Sequence, residues 1–237
     1  GAAGFIGYQV VVALEKQGVS VASVDYLEAF GSRPEHSTGP FKAKFEQKVS
    51  VDEAATDAFF EKCKAAGNPI TGIIHMGACS DTTELRVDFL DKVNVKYSQA
   101  LWNLAIKYSI PFVYASSAAT YGAGEFGYDD AETEMQNLKP LNPYGESKRL
   151  FDVWALAQEK LKSAPPAWSG FKFFNVYGFG ERHKVKMASV VLQGFDQISK
   201  HGQIKLFKSH KAGIADGEQK RDFVYVGDVV DVRSEER

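Results

Sequence analysis

Gly1-Ala2-Ala3-Gly4-Phe5-Ile6-Gly7 is a G-x-x-G-x-x-G turn, and it runs into an apolar helical pattern through Val10, Val11 and Leu14 that ends near Gly18. Glycines at this spacing allow a tight turn and let a pyrophosphate approach backbone N–H groups, with the helix N-terminus facing the phosphate charge. Such a turn follows a strand, which is expected before residue 1. Val19 to Val24 is a β-rich run ending at Asp25, about 20 residues after the glycines, where a carboxylate meets an adenosine ribose. An ordinary glycine turn and a surface aspartate are the plainer alternatives. The two features together favour dinucleotide binding. Strand and helix patterns alternate from there on, which reads as an α/β chain with a doubly wound parallel sheet.

Further along, a helix is expected over Asp52 to Ala65, with Asp52 as its cap. The strand Gly72 to His75 then runs into Met76-Gly77-Ala78-Cys79-Ser80. Small residues at the C-terminal end of a parallel strand are where a bound cofactor passes. His75 reads as a packed strand residue rather than a ligand, and Cys79 as a small buried residue rather than a nucleophile. A long helical region, Thr83 to Tyr108, carries Asn94. The strand Ile110 to Ala115 delivers Ser116 and Ser117 into the same crevice. Either hydroxyl can serve, with Ser117 preferred to Ser116, and a strand-end serine that caps a turn is the plain alternative. Strand Gly170 to Phe174 leads to Asn175-Val176-Tyr177-Gly178, and a helix follows from Met187 to about Ile198. Residues 31–48 and 208–220 read as polar and irregular, Leu206-Phe207 as short and extended, and Asp228 as the cap of a last helix.

The stretch Asn142-Pro143-Tyr144-Gly145-Glu146-Ser147-Lys148 opens another helix: Asn142 suits the cap and Pro143 the first position. Tyr144 and Lys148 are four apart and share one face. A phenol titrates near pH ~10 and is a poor base at neutrality. A nearby ammonium and a helix N-terminus both favour the phenolate, so the pair reads as an acid/base tyrosine tuned by a lysine. Two unrelated residues on a helix are the plain alternative.

The 237 residues are 44% hydrophobic with a net charge of −2 and both signs mixed throughout, enough for one large domain or one and a half. No basic run points to nucleic acid or a membrane surface. No apolar run approaches the ~18 residues of a membrane span. Cys63 and Cys79 have no metal-ligand spacing, so no metal site is expected, and a reducing, cytoplasmic setting is. The chain opens inside a glycine motif and closes on Arg233-Ser234-Glu235-Glu236-Arg237. This reads as a fragment without its first strand and C-terminal part, and one prone to aggregate.

In this order the segments resemble the extended short-chain dehydrogenase/reductase family, the NAD-dependent epimerases and dehydratases of nucleotide sugars with a Rossmann fold. The motifs are GAAGFIG (1–7), HMGACSDTTE (75–84), YASSAATYG (114–122), KPLNPYGESK (139–148), FFNVYG (173–178), HKVKMASV (183–190) and RDFVYVGDV (221–229). The second and sixth are similar to the heptose-epimerase branch. That resemblance implies inversion of C6 of the heptose in ADP-glycero-manno-heptose, by transient oxidation and re-reduction with bound NADP, in lipopolysaccharide core precursor synthesis. Tyr144 and Lys184 are then the two acid/base groups, one per face, and Lys148 holds the nicotinamide ribose. Phe5, Ile6, Asp25, Tyr26, Met76 to Ser80, Asn94 and Val176 line the cofactor. Ser117, Asn175, Lys186, Gln193, Phe207, Lys208, Ser209, His210 and Arg221 hold the ADP-sugar, Arg221 with a fork that matches phosphate oxygens. Lys186, Gln193 and Val185 depart from the family's usual residues. The implied domains are a dinucleotide-binding unit over 1–174, rejoined by 222–237, and the start of a substrate region over 175–221. The full-length protein is expected to be a homo-oligomer.

Asp25 argues for NAD, while Arg33, with Lys42 or Lys44, supplies charge for NADP. A UDP-hexose 4-epimerase or another nucleotide-sugar reductase is the alternative within the fold. A 4,6-dehydratase wants an Asp-Glu pair where Ala118-Ala119 follow Ser117. A non-catalytic NAD(P)-sensing protein is the alternative of another class, and it has no need of Ser117, Tyr144 and Lys148 together.

Overall fold

The computed structural model describes residues 1–32, 42–210 and 212–231. Arg33 and the closing Arg233 to Arg237 lie outside the described residues. Helix α1 (Phe5–Lys16) leads to strand β1 (Ala22–Asp25), which pairs in parallel with β2 (Gln47–Ser50). Short helices α2 (Val51–Ala54) and α3 (Asp57–Ala65) precede β3 (Ile73–His75). Helix α4 (Val87–Leu90) continues through a π-helical turn, Asp91–Lys96, into α5 (Tyr97–Lys107). Strand β4 (Phe112–Ser117), helix α6 (Pro143–Lys160) and strand β5 (Trp168–Phe173) follow. Strand β6 (Asn175–Tyr177), helix α7 (Val190–His201), strand β7 (Phe223–Tyr225) and helix α8 (Val226–Asp231) complete the described residues.

Every pairing is parallel, as a doubly wound α/β fold requires. The sheets run β1-β2, β3-β4-β5 and β6-β7, with Tyr114 opposite both His75 and Gly170. The glycine turn joins the first two. The Ala2 N–H donates to Val24 O at 3.0 Å, and Gly1 lies so close to Gly77 that a Cβ on it would come within 2.5 Å of the Gly77 nitrogen.

The main core packs α3, α5 and α6 against β4. Trp102 is fully buried, with the rings of Phe112, Phe151, Trp154 and Trp168 around it. Edge-to-face contacts among such rings add to their area burial. A second core sets Tyr8, Val11 and Val12 of α1 against Phe30 and Phe45.

Several boundaries differ from the sequence reading. The Asp52–Ala65 helix is two pieces, because Thr56 adopts an extended backbone and caps the second through its side chain. Ser50, not Asp52, caps the first. The expected Thr83–Tyr108 helix starts at Val87, since Asp81 holds Thr83 in a turn by two hydrogen bonds. Two residues past its π-helical turn, the Ser98 hydroxyl donates back to the carbonyl of Asn94 inside that turn at 2.7 Å; such back-bonding bends helices. The Met187–Ile198 helix is shifted to Val190–His201, capped by Ser189. The last helix starts at Val226, so Asp228 lies in its first turn and is not its cap.

Candidate active site

Strand β4 ends at Ser117 and helix α6 begins at Pro143, and the two meet. The Asn142 side chain accepts from the Gly145 N–H at 2.8 Å, so the expected cap is in place. Gly145 is needed there: a Cβ on it would come within 2.7 Å of Ala119 O. Tyr144, Ser147 and Lys148 are buried beneath the first turn. Ser147 donates to Tyr144 O at 2.7 Å and accepts from the Asn94 amide at 2.9 Å. Asn94 also holds the backbone of Cys79 from both sides, accepting from its N–H at 2.8 Å and donating to its carbonyl at 3.1 Å. Asn94 therefore clamps the loop after β3 from behind and does not line the cleft.

Burial pushes the Tyr144 phenol above its ordinary value, and a hydrogen bond with Ser117 pulls it back. The expected lowering by Lys148 is not what the structure has. The Lys148 ammonium donates to Ala115 O at 2.9 Å, and burial brings its pKa down to about 8, partly opposed by the charge of Asp152. With the Ser98 proton given to Asn94 O, His75 Nε2 donates to Ser98 Oγ at 2.9 Å, and burial, then the Lys148 charge, hold the imidazole well below the usual histidine range. It is the packed strand residue that its position suggests.

The cleft has a volume of about 3060 Å³ and takes in the glycine turn, Asp25 and Tyr26, residues 76–80, Ser117, Tyr144 and Lys148. That is several times the 300–1,000 Å³ of a small-molecule site. Its lining also includes residues of β1 and β3, which are not hydrogen-bonded to each other, and residues 204–210. The N-terminus of α1 opens here with no side chain capping it and no acidic residue in its first turn. Gly7 has no room for a Cβ, which would come within 1.9 Å of Gly1 O, so the turn and helix stay close-packed. Asp25 lies at the end of β1 with its carboxylate accepting from the Ala3 and Tyr26 N–H groups, each at 2.9 Å. Free N–H groups, small residues and a carboxylate at these places fit a dinucleotide.

On the opposite side, Val176, Lys184, Gln193, Phe207 to His210 and Arg221 line the same cleft. Burial lowers the pKa of Lys184, and its ammonium lies 5.5 Å from the centre of the Phe5 ring, beside the glycine turn. Glu181 builds this segment: its buried carboxylate accepts from Gly178 N–H at 3.1 Å, Ser189 N–H at 2.6 Å and Ser189 Oγ at 2.9 Å. Val185 takes a positive φ of 48°, which kinks the chain between Lys184 and Lys186. Lys184 is thereby turned inwards, while Lys186 is exposed and does not line the cleft, contrary to its expected place among the substrate ligands. Asn175 lines the cleft, but its amide donates to Asp222 O at 2.9 Å and ties β6 to the chain before β7.

Sequence reasoning missed Asp152, Lys172, Thr120 and Glu181. Asp152 stands four residues after Lys148, and Lys172 interrupts an apolar strand. Both were signals of buried pairing.

A parallel α/β fold with a glycine turn, and a cleft at the strands' C-terminal ends that takes in Tyr144, Lys148 and Ser117, define a scaffold of the dinucleotide-binding class. Residues 1–233 match the model of the NAD dependent epimerase/dehydratase family, and the chain belongs to that family. A protein of Fusobacterium nucleatum subsp. nucleatum named ADP-L-glycero-D-manno-heptose-6-epimerase is 54% identical over 172 residues, 72% of this chain and 51% of that protein. One of the same name from Nitratidesulfovibrio vulgaris (strain Hildenborough) is 41% identical over 235 residues, 98% of this chain and 69% of that one. The match thus spans about half the length of the first relative and about two thirds of the second. Among solved structures, ADP-L-glycero-D-manno-heptose-6-epimerase of Helicobacter pylori has a TM-score of 0.72 at 27% identity, covering 97% of this chain and 68% of its own. Among the described residues, no helix is long and apolar enough to cross a membrane.

Proposed function

We propose that this chain is the cofactor-binding and catalytic part of an epimerase that inverts C6 of the heptose in ADP-glycero-manno-heptose. The observation that carries the reading is one cleft lined by two ionisable side chains from different elements, the buried Tyr144 on α6 and the half-buried Lys184 after β6. Inversion through a ketone needs proton transfer to the same oxygen from two directions, which one side chain on a rigid helix serves poorly. The names of the relatives point to the same substrate.

The nicotinamide cofactor, when bound, supplies hydride removal and return at C6. The glycine turn and the α1 N-terminus hold its pyrophosphate, Asp25 its adenosine ribose and Lys148 its nicotinamide ribose. Ser117 Oγ orients the C6 oxygen, and Tyr144 Oη gives or takes its proton on one face. Lys184 Nζ does so on the other, with its pKa lowered by burial towards the working range. Lys208, His210 and Arg221 take the diphosphate.

We assign the cofactor as NADP, with NAD as the second reading because Asp25 stands where a 2′-phosphate would be repelled. Residues 1–174 with 222–237 form the dinucleotide unit and 175–221 the start of the substrate region, in a cytoplasmic homo-oligomer. Two measurements on the full-length protein test this. The nucleotide released on denaturation is expected to be NADP, and NAD alone would overturn that assignment. ADP is expected to compete with substrate far better than UDP. The reverse order would point to a UDP-hexose 4-epimerase.

A further inference from the structure

Asp152, Lys172 and Thr120 lie beside the catalytic groups, but none of them lines the cleft. We propose that they form a buried positioning relay whose role is to hold the Ser117 hydroxyl against the Tyr144 phenol. The proposal rests on the reading of Tyr144 as a proton-transfer group.

Asp152 sits on the inner face of α6, one turn beyond Lys148 and two beyond Tyr144. One carboxylate oxygen accepts from Tyr114 Oη at 2.9 Å. The other accepts from Ser116 Oγ at 2.7 Å and from Lys172 Nζ at 3.0 Å. Tyr114 reaches it across β5 only because residue 170 is glycine: a Cβ there would come within 2.3 Å of the tyrosine ring. Lys172, on β5, also donates to Thr120 Oγ1 at 2.6 Å and lies 5.0 Å from the centre of the Tyr121 ring. Thr120, fully buried, donates in turn to the carbonyl of Ser117 at 2.9 Å. An unbroken path of hydrogen bonds therefore runs from α6 through β5 to the backbone of Ser117. The Ser117 hydroxyl accepts from the Ala119 N–H at 3.2 Å, which leaves its proton for Tyr144.

A merely cohesive role explains this arrangement poorly. A buried ion pair is a weak stabiliser, and apolar residues of the same volume often do as well or better. Here the pair ties the middle of α6 to Tyr114 and Ser116 of β4 and, through Lys172 and Thr120, to the turn that carries Ser117, two helical turns from Tyr144. The hydrogen bond with Ser117 is also what offsets the effect of burial on the phenol. The other charged or titratable groups acting on Tyr144 are Asp152 and Cys79. Those acting on Lys148 are the same two, and Lys148 in turn acts on His75.

Thr120→Val and Thr120→Ser in the full-length protein test the relay without changing any charge. Three readouts are needed: ionisation of Tyr144, by ultraviolet titration of each variant against its Tyr144→Phe counterpart; kcat and KM; and the thermal midpoint. The valine variant is expected to raise the tyrosine's pKa by about one unit and lower kcat about tenfold, with KM within about twofold. The serine variant keeps the hydroxyl and is expected to restore both. A valine variant with wild-type ionisation overturns the proposal, whatever its kcat, and so does a serine variant as impaired as valine. Should valine not fold, Thr120→Ala removes the same hydroxyl with a smaller side chain and again changes no charge. It is expected to show the same upward shift, and wild-type ionisation in it overturns the relay. Absence of epimerisation by the wild-type protein overturns the functional reading alone, because the titration still decides the relay.

Discussion

At the residue scale, Tyr144 and Lys148 carry shifts of known direction that can be measured. Tyr144→Phe keeps the ring and loses the proton. Epimerisation is expected to fall at least about a hundredfold while cofactor stays bound; near wild-type turnover would remove Tyr144 from the mechanism. Lys148 has a folded pKa of about 8, below its ordinary 10.5. The folded state then binds fewer protons than the unfolded state between these values. Its contribution to stability is fully present above pH 10.5 and is lost as pH falls through about 8. Stability at this site is expected to rise with pH across that window by roughly 3 kcal/mol. Lys148→Met should flatten the rise in a pH series of urea midpoints, and an unchanged slope would contradict the burial argument. The spacing of Tyr144 and Lys148 was legible in the sequence. The sign of the tyrosine's shift was not, because burial comes from the strands that α6 packs against, and because the lysine's ammonium goes to the Ala115 carbonyl. Lys184 had no signal of its own beyond resemblance, since its inward turn depends on the positive φ at Val185.

At the scale of elements, α6 and the turn after β4 act as one piece. Asn142→Ala removes the cap and is expected to cost about 1 kcal/mol in thermal or denaturant unfolding. Gly145→Ala is the sharper probe. Its methyl would meet the Ala119 carbonyl and push the helix off the Ser117 turn. A loss of about 1–3 kcal/mol in stability is expected, together with a fall in kcat larger than the change in cofactor affinity. Equal losses in both would mean that the helix does not set the geometry of the chemistry. Local signals gave this helix away, because Asn142-Pro143 is a cap motif readable in two residues. They failed at Thr56 and at the π-helical turn by Asn94. The first breaks a helix that periodicity alone would continue, and the second is a local change of helix type that the apolar periodicity does not register. The Asp152–Lys172 pair joins residues 20 apart in sequence on different elements, so no local window contains it.

Across the whole molecule, the glycine turn, the strand-end aspartate and the alternation of elements were enough to read a parallel α/β fold. What the pattern left open was the far wall of the cleft, where residues 175–221 contribute mostly single side chains from loops and short elements. That wall presents Lys184, Lys208, His210 and Arg221 in a chain whose net charge is only −2. A diphosphate held by such groups should bind more weakly in salt. KM for the ADP-sugar is expected to rise several-fold from low to high ionic strength with kcat nearly constant, and a salt-independent KM would place the diphosphate elsewhere. The most direct test of the central claim is to give the full-length protein a single C6 epimer of ADP-glycero-manno-heptose and follow the sugar by NMR. The account predicts that the other epimer forms from either starting material, and that Tyr144→Phe and Lys184→Met each abolish the interconversion. An unchanged single epimer with the wild-type protein, or full interconversion by either variant, would contradict it.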